Sequence, residues 1–202
     1  MAKYITVYLV RHGETAWNVK QITQGSRASR LNKTGQKQAA RMARYFKDIH
    51  LDAIYCSPLV RTMQTARAVL KYHDASKLVK WYDFRERYAG KFEGTSIKQK
   101  LRLVPDLKEQ WKKKGVDWKA PGGESMREVS KRSIAGFKKM IKRHQSGDTI
   151  LVVSHGGVLK CLIHKFHGGT FKDFFHREPV GNCEVTKILW NNSPKRIKCV
   201  LK

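Results

Sequence analysis

The sequence predicts an α/β protein, a three-layer α/β/α sandwich around a mostly parallel sheet. Two patterns predict it: short apolar runs of strand length recur along the chain, and amphipathic stretches of helical period lie between them. Length adds a bound. A chain of 202 residues suffices for one well-buried core and is short for two, so a single domain over 1–202 is expected.

The first predicted strand is KYITVYLV, residues 3–10, apolar at every position but Lys3 and Thr6. Strands follow at 51–56 (LDAIYC), 78–82 (LVKWY), 149–154 (TILVVS), 184–190 (EVTKILW) and 196–201. In the helix predicted at 35–48, Ala39, Met42, Ala43 and Phe46 share one face and Thr34 stands at the N-cap position. Ser57 to Tyr72 carries Met63, Ala66 and Leu70 in the same way. The clearest helix is 125–144. Its inward stripe is Val129, Ser133, Phe137, Met140 and Ile141, its outer face holds Lys131, Arg132, Lys138, Lys139, Lys142 and Arg143, and Gly147-Asp148 ends it. Residues 96–123 show no clear period: Trp111 and Trp118 stand among lysines, and Pro121-Gly122-Gly123 reads as a loop.

Composition narrows the function classes. Forty-two Lys and Arg against 16 Asp and Glu leave a formal charge of +26, which implies attraction to anions of some kind. A hydrophobic content of 41% with five tryptophans excludes a disordered chain. Cys56, Cys161, Cys183 and Cys199 are widely spaced and form no C-x-x-C pair, so they read as reduced core thiols. No apolar run approaches the ~20 residues needed to span a bilayer. Met1 to Lys3 lacks the basic start and apolar stretch of a signal peptide. A cytoplasmic protein without membrane contact is expected. His164 and His167 lack a matching carboxylate or thiol cluster and read as helix-surface histidines rather than metal ligands. No P-loop motif is present, and Cys56 and Arg61 are one residue too close for a cysteine phosphatase loop.

In open α/β sheets, ligands bind beyond the carboxyl ends of the strands. Arg11-His12-Gly13 follows the first strand, Ser154-His155-Gly156-Gly157 follows TILVV, and Arg61 begins the helix after DAIYC. Two histidines and two arginines therefore converge on one region. Two guanidinium forks match the oxygens of a phosphoryl dianion. They also disfavour a third positive charge, which keeps a neighbouring imidazole neutral and nucleophilic. Such an imidazole can attack phosphorus and form a phosphohistidine while the second histidine donates to the equatorial oxygens. The leaving oxygen then needs a proton, which a carboxyl group beside a bound phosphate can carry. Glu14, Asp83, Glu86, Glu93 and Glu124 are the candidates near predicted strand ends, and the position after LVKWY leans toward Glu86.

RHGETAWN (11–18), SPLVRTMQTA (57–66), FRERYAGKFEG (84–94), PGGES (121–125) and VSHGG (153–157) occur in the order found in the histidine phosphatase superfamily. The chain resembles these phosphoglycerate mutase-like enzymes from residue 4 to about 187. The resemblance implies a phosphoglycerate mutase-like fold, His12 as the phosphorylated nucleophile, Arg11, Arg61 and His155 as the rest of the phosphate pocket, and Glu86 as the proton donor. Asn18, Gln24 and Gly25 resemble residues that help seat the phosphate, and Gly156 would contribute a backbone N–H. No metal or organic cofactor is implied for hydrolysis. The family's D-S-P-L-T stretch is Ala28-Ser29-Arg30-Leu31-Asn32 here, a departure expected to flank the site mouth and bear on substrate choice.

Within the family, mutases carry an extra segment between the acid-bearing motif and the second histidine. Here Gly94 to Ser154 is compact, and GNCEVTKI (181–188) looks like the phosphatase branch. Glu86-Arg87 matches the start of the mutase E-R-x-Y-G motif and marks Arg87 as a substrate contact, but Ala89 stands where that motif has tyrosine. The expectation is a phosphomonoester hydrolase acting on small phosphorylated metabolites. The alternatives are a 2,3-bisphosphoglycerate-dependent phosphoglycerate mutase and, in another class, a silent phosphatase fold that binds polyanions or nucleic acid weakly and non-specifically through its lysines.

Overall fold

The computed structural model describes residues 4–73 and 78–202. Met1 to Lys3, including the predicted start of the first strand, lie outside the described residues. Six strands form one sheet: β1 (Ile5–Arg11), β2 (Ala53–Cys56), β3 (Leu78–Lys80), β4 (Thr149–Ser154), β5 (Val185–Asn191) and β6 (Ser193–Leu201). Their spatial order is β3-β2-β4-β1-β5-β6. The pairs β2–β3, β2–β4 and β1–β4 are parallel, whereas β5 runs antiparallel to β1 and to β6.

Alternation along the central strands makes the three layers. Ile5, Val7 and Leu9 of β1 and Ile150 and Val152 of β4 point to one face. There they bury Val129, Phe137 and Met140 of α6 (Met126–Ile141) and Val158, Leu159 and Leu162 of α7 (Gly156–Phe166). Tyr8 and Val10, with Leu151 and Val153, point to the other face. That face is covered by α2 (Lys33–Phe46) through Met42 and Phe46 and by α3 (Val60–Leu70) through Ala66 and Val69. A side chain's period of two in a strand thus feeds two separate helical layers.

The other α-helices among the described residues are shorter: α1 (Ala16–Val19), α4 (Ile97–Leu103) and α5 (Leu107–Lys114). The region that showed no period holds α4 and α5. It closes over a small core of its own, in which Phe92, Val104, Leu107 and Trp118 are buried.

Several boundaries differ from expectation, each for a local reason. The α2 cap is Asn32, whose side chain accepts from Gly35 N, and Thr34 lies inside the helix. α3 begins at Val60 because Ser57 is held at the strand end, its N–H donating to Val153 O at 3.0 Å. α6 stops at Ile141; His144 turns away, Nδ1 2.8 Å from Asp148 Oδ2 and Nε2 3.0 Å from the Tyr55 hydroxyl. β3 ends at Lys80, and Tyr82–Phe84 form a 3-10 turn. β5 and β6 meet at Asn192, whose φ of 57° makes a tight hairpin, so β6 starts three residues before the predicted 196. All four cysteines are free, three of them buried. No helix among the described residues is long and apolar enough to cross a membrane.

Candidate active site

The register of β1 against β4 sets Arg11 opposite Ser154, so the next residue of each strand, His12 and His155, emerges at the same level. His12 N donates to Ser154 O at 3.0 Å, and the two imidazole centroids are 5.3 Å apart. Ser57 follows β2, and its hydroxyl lies 2.8 Å from His155 Nε2. Arg61 follows from the first turn of α3. Parallel pairing of the central strands is what brings these four residues to one edge.

His12 is held in one tautomer. Its Nδ1 is 2.8 Å from Gly13 O, and because a carbonyl can only accept, Nδ1 carries the proton and Nε2 keeps its lone pair. Burial pushes its pKa well below the usual histidine range, and the charges of Arg61 and Arg11 push the same way against the Gly13 bond. His155 is lowered likewise, first by burial and then by Arg61, His12 and Arg11.

The arginines are anchored from behind. Arg61 donates to Gly25 O at 2.8 Å and Arg27 O at 3.1 Å, and Arg11 donates to Val180 O at 2.7 Å. Burial lowers both guanidinium pKa values, that of Arg61 to about 10, which still leaves it charged at neutral pH. Arg11 Nε, Arg61 Nε and His155 Nδ1 are buried without a partner. Unpartnered buried polar atoms are costly, and two guanidinium donors and an imidazole nitrogen left so around His12 are what a site satisfied by a bound anion looks like.

The cavity in front of His12 measures about 300 Å³ and is lined by Arg11, His12, Asn18, Gln24, Gly25, Arg61, Glu86 and Arg87, among others. Eight of the ten residues singled out from the sequence therefore share one wall. His155 lies behind it, and Gly156 packs on the Arg11 guanidinium, where a Cβ would come within 3.4 Å of Nε. Asn18 Oδ1 accepts from Thr15 N at 3.0 Å, and Gln24 Oε1 accepts from the Ser29 hydroxyl. What both residues have left to offer a ligand is their amide donors. Gly25 has φ of 52°, and a Cβ there would meet Glu93 Oε1, so only glycine fits.

Among the five acid candidates only Glu86 lines the cavity. Glu93 Oε1 accepts from Ser26 N at 2.6 Å, Glu124 pairs with Arg132, Glu14 accepts from Asn32 Nδ2, and Asp83 faces Lys139. Arg132 is more than the outer-face residue that the helical period suggested. Its guanidinium donates to the carbonyls of Asp83, Arg85 and Glu86 and to Glu124, which fixes the segment that carries Glu86.

Sequence reasoning also missed Asn182, whose Nδ2 donates to His12 O at 2.8 Å, and Ser57 beneath His155. His164 is buried rather than on the helix surface, with Nε2 2.6 Å from Thr170 O. Arg30, in the departing 28–32 stretch, is exposed and does not line the cavity. A larger cavity of about 720 Å³ beyond residues 177–180 mixes Arg177 and Lys198 with Asp173, Glu178 and Glu184, so it lacks the single-signed field that suits a dianion. No cluster of three or more His, Cys, Asp or Glu suited to a metal ion is present among the described residues.

Comparison with known proteins gives the family. The chain is 33% identical over 163 residues to the uncharacterized phosphatase PhoE of Bacillus subtilis (strain 168), covering 81% of this chain and 78% of that one. It is 34% identical over 195 residues to the probable phosphoglycerate mutase GpmB of Enterobacter sp. (strain 638), covering 94% and 87%. The solved structure of Bacillus stearothermophilus YhfR superposes with a TM-score of 0.86 at 28% identity, over 98% of this chain and 96% of that one. The family model of the histidine phosphatase superfamily (branch 1) matches residues 7–201, and the chain belongs to that family.

Proposed function

We propose that the protein is a phosphomonoester hydrolase acting on small phosphorylated substrates through a phosphohistidine at His12. The observation that carries this reading is the His12–Gly13 bond, which fixes the tautomer and leaves Nε2 unprotonated in front of two anchored arginines. Arg11 and Arg61 hold the phosphoryl oxygens, with the amides of Asn18 and Gln24 as further donors. His12 Nε2 donates its electron pair to phosphorus as the ester P–O bond breaks, and the leaving oxygen takes its proton from the Glu86 carboxyl. Water then attacks phosphorus, the P–N bond breaks, and the water's proton returns to Glu86. His155 and the Gly156 backbone support the equatorial oxygens, where charge builds in the transition state. Arg87 stands on the leaving-group side.

The likeness to GpmB favours a second reading, in which a glycerate hydroxyl rather than water receives the phosphoryl group. One assay separates the two. Release of inorganic phosphate from an aryl phosphate, abolished in His12→Ala, supports the hydrolase; transfer to glycerate without phosphate release supports the mutase; equal near-zero rates in wild type and variant contradict both.

A further inference from the structure

Two large aromatic side chains stand in solvent beside the phosphate cavity, and the phosphoryl chemistry uses neither. Trp111 on α5 is 48% exposed and Phe175 is 59% exposed. Between them runs a cleft of about 250 Å³, walled by Trp111, Trp118, Phe174 and Phe175 with Lys160 alongside. This cleft adjoins the phosphate cavity: Arg87, Met126 and Gly157 line both.

The junction lies at the carboxyl assigned to the leaving group. Glu86 Oε1 accepts from Arg87 N at 2.9 Å, and a Cβ on Gly157 would stand 2.7 Å from that same oxygen and 3.6 Å from Met126 Cε. Glycine at 157 therefore leaves room beside the proton donor, where the two cavities share a wall. Whatever carbon skeleton follows the leaving oxygen has this cleft in front of it.

The walls are set before any ligand arrives. Trp118 is buried, donates from Nε1 to Gln110 Oε1 at 3.1 Å and packs on Phe92 with centroids 5.5 Å apart. Trp111 meets Trp118 edge-on at 5.7 Å, and Phe175 meets Phe174 edge-on at 5.4 Å. Lys160 Nζ sits over both phenylalanine rings, 5.1 Å and 6.0 Å from their centroids. Aromatic walls held this way favour a flat ring, through stacking and edge contacts that a saturated group of equal size does not make. The volume is below that of drug-sized pockets, about 300–1,000 Å³, and suits one ring or two fused ones.

We infer that the substrate is a phosphomonoester whose alcohol portion carries a planar aromatic or heteroaromatic ring, lodged in the cleft between Trp111 and Phe175. The inference rests on the phosphatase reading and names the substrate class of that same site.

The test uses three esters of alkyl alcohols, matched in the difficulty of the bond that breaks: 2-phenylethyl phosphate, 2-cyclohexylethyl phosphate and glycerol 3-phosphate. The phenylethyl ester is expected to exceed glycerol 3-phosphate in kcat/KM by about tenfold or more, and its cyclohexyl counterpart by about threefold. Trp111→Ala and Phe175→Ala should each cut the phenylethyl-to-glycerol ratio about tenfold. Equal kcat/KM across the three esters, or variants that lower all three alike and leave the ratio unchanged, would overturn the ring site while leaving the phosphatase reading in place. No phosphate release from any ester would overturn the phosphatase reading and the ring site with it.

Discussion

The two ends of the cleft are built on opposite principles. At the phosphate end the nucleophile and two arginines are held from behind by backbone: Gly13 O for His12, Gly25 O and Arg27 O for Arg61, Val180 O for Arg11. These contacts come from the ends of central strands and the loops beside them, so the donors are placed before the ligand binds. At the outer end the walls are aromatic side chains on α5, which rests on a small separate core around Phe92 and Trp118, and on the 174–176 turn, whose Phe174 is buried in the main core. The lesson is a division of labour: the inner end recognises what all phosphomonoesters share, and the outer end reads what distinguishes them.

That comparison can be broken most sharply at the inner end. His12→Ala removes the nucleophile and should lower kcat by about 10⁴-fold or more in a steady-state phosphate-release assay. A residual rate within tenfold of wild type would show that phosphorus is attacked by something else. Glu86→Gln, at the junction, should cost about 10²–10⁴-fold in kcat/KM with alkyl phosphates and far less in kcat/KM with nitrophenyl phosphate, whose leaving group needs little protonation. Equal losses of kcat/KM on both ester types would remove Glu86 from the proton-donor role.

Trp118→Ala probes the support beneath the outer end and should cost about 3–5 kcal/mol in urea unfolding. A cost below about 1 kcal/mol would show that the small core bears little on the fold.

Acid titration sharpens the contrast further. His12 and His155 are held neutral, with folded-state pKa values depressed by burial first and by neighbouring cations next. The unfolded chain therefore binds protons on these groups at a higher pH than the folded one. Their contribution to stability is fully present above the ordinary histidine value near 6.5 and is lost as pH falls below it, by up to about 1.4 kcal/mol per pH unit for each group. His155→Gln should flatten this slope between about pH 6.5 and pH 5. An unchanged slope would argue that His155 is not buried neutral. Asn182→Ala, which frees the His12 carbonyl, should have the smallest effect, a loss of up to about tenfold in kcat/KM.

The sequence disclosed the inner end better than the outer one, for physical reasons. β1 and β4 are apolar runs that end abruptly on Arg-His-Gly and Ser-His-Gly-Gly, so strand and site announce each other. Glu86 followed from its place after β3 and from the family motif. Ser57, Val180 and Asn182 stayed hidden because they act across chain separations of 98, 169 and 170 residues, partly through a hydroxyl or a carbonyl that any sequence could supply. Arg132 looked solvent-facing by helical period, yet its long side chain folds back over the Glu86 segment. The helices α4 and α5 are short and lysine-rich, and Trp118, which roots them, lies outside both. His164 reads as a helix-surface residue, yet α7 buries Val158, Leu159, Cys161, Leu162, Ile163 and His164 on nearly every side, so a polar residue there does not mark a solvent face.

The central claim is that His12 becomes covalently phosphorylated, and the direct measurement is rapid acid-free quenching of turnover followed by peptide mass spectrometry. The account predicts a phosphoryl increment on the peptide holding His12, labile to acid and stable to base, that accumulates in Glu86→Gln and is absent in His12→Ala. Turnover without any phosphopeptide in Glu86→Gln, or a phosphopeptide that persists in His12→Ala, would contradict it.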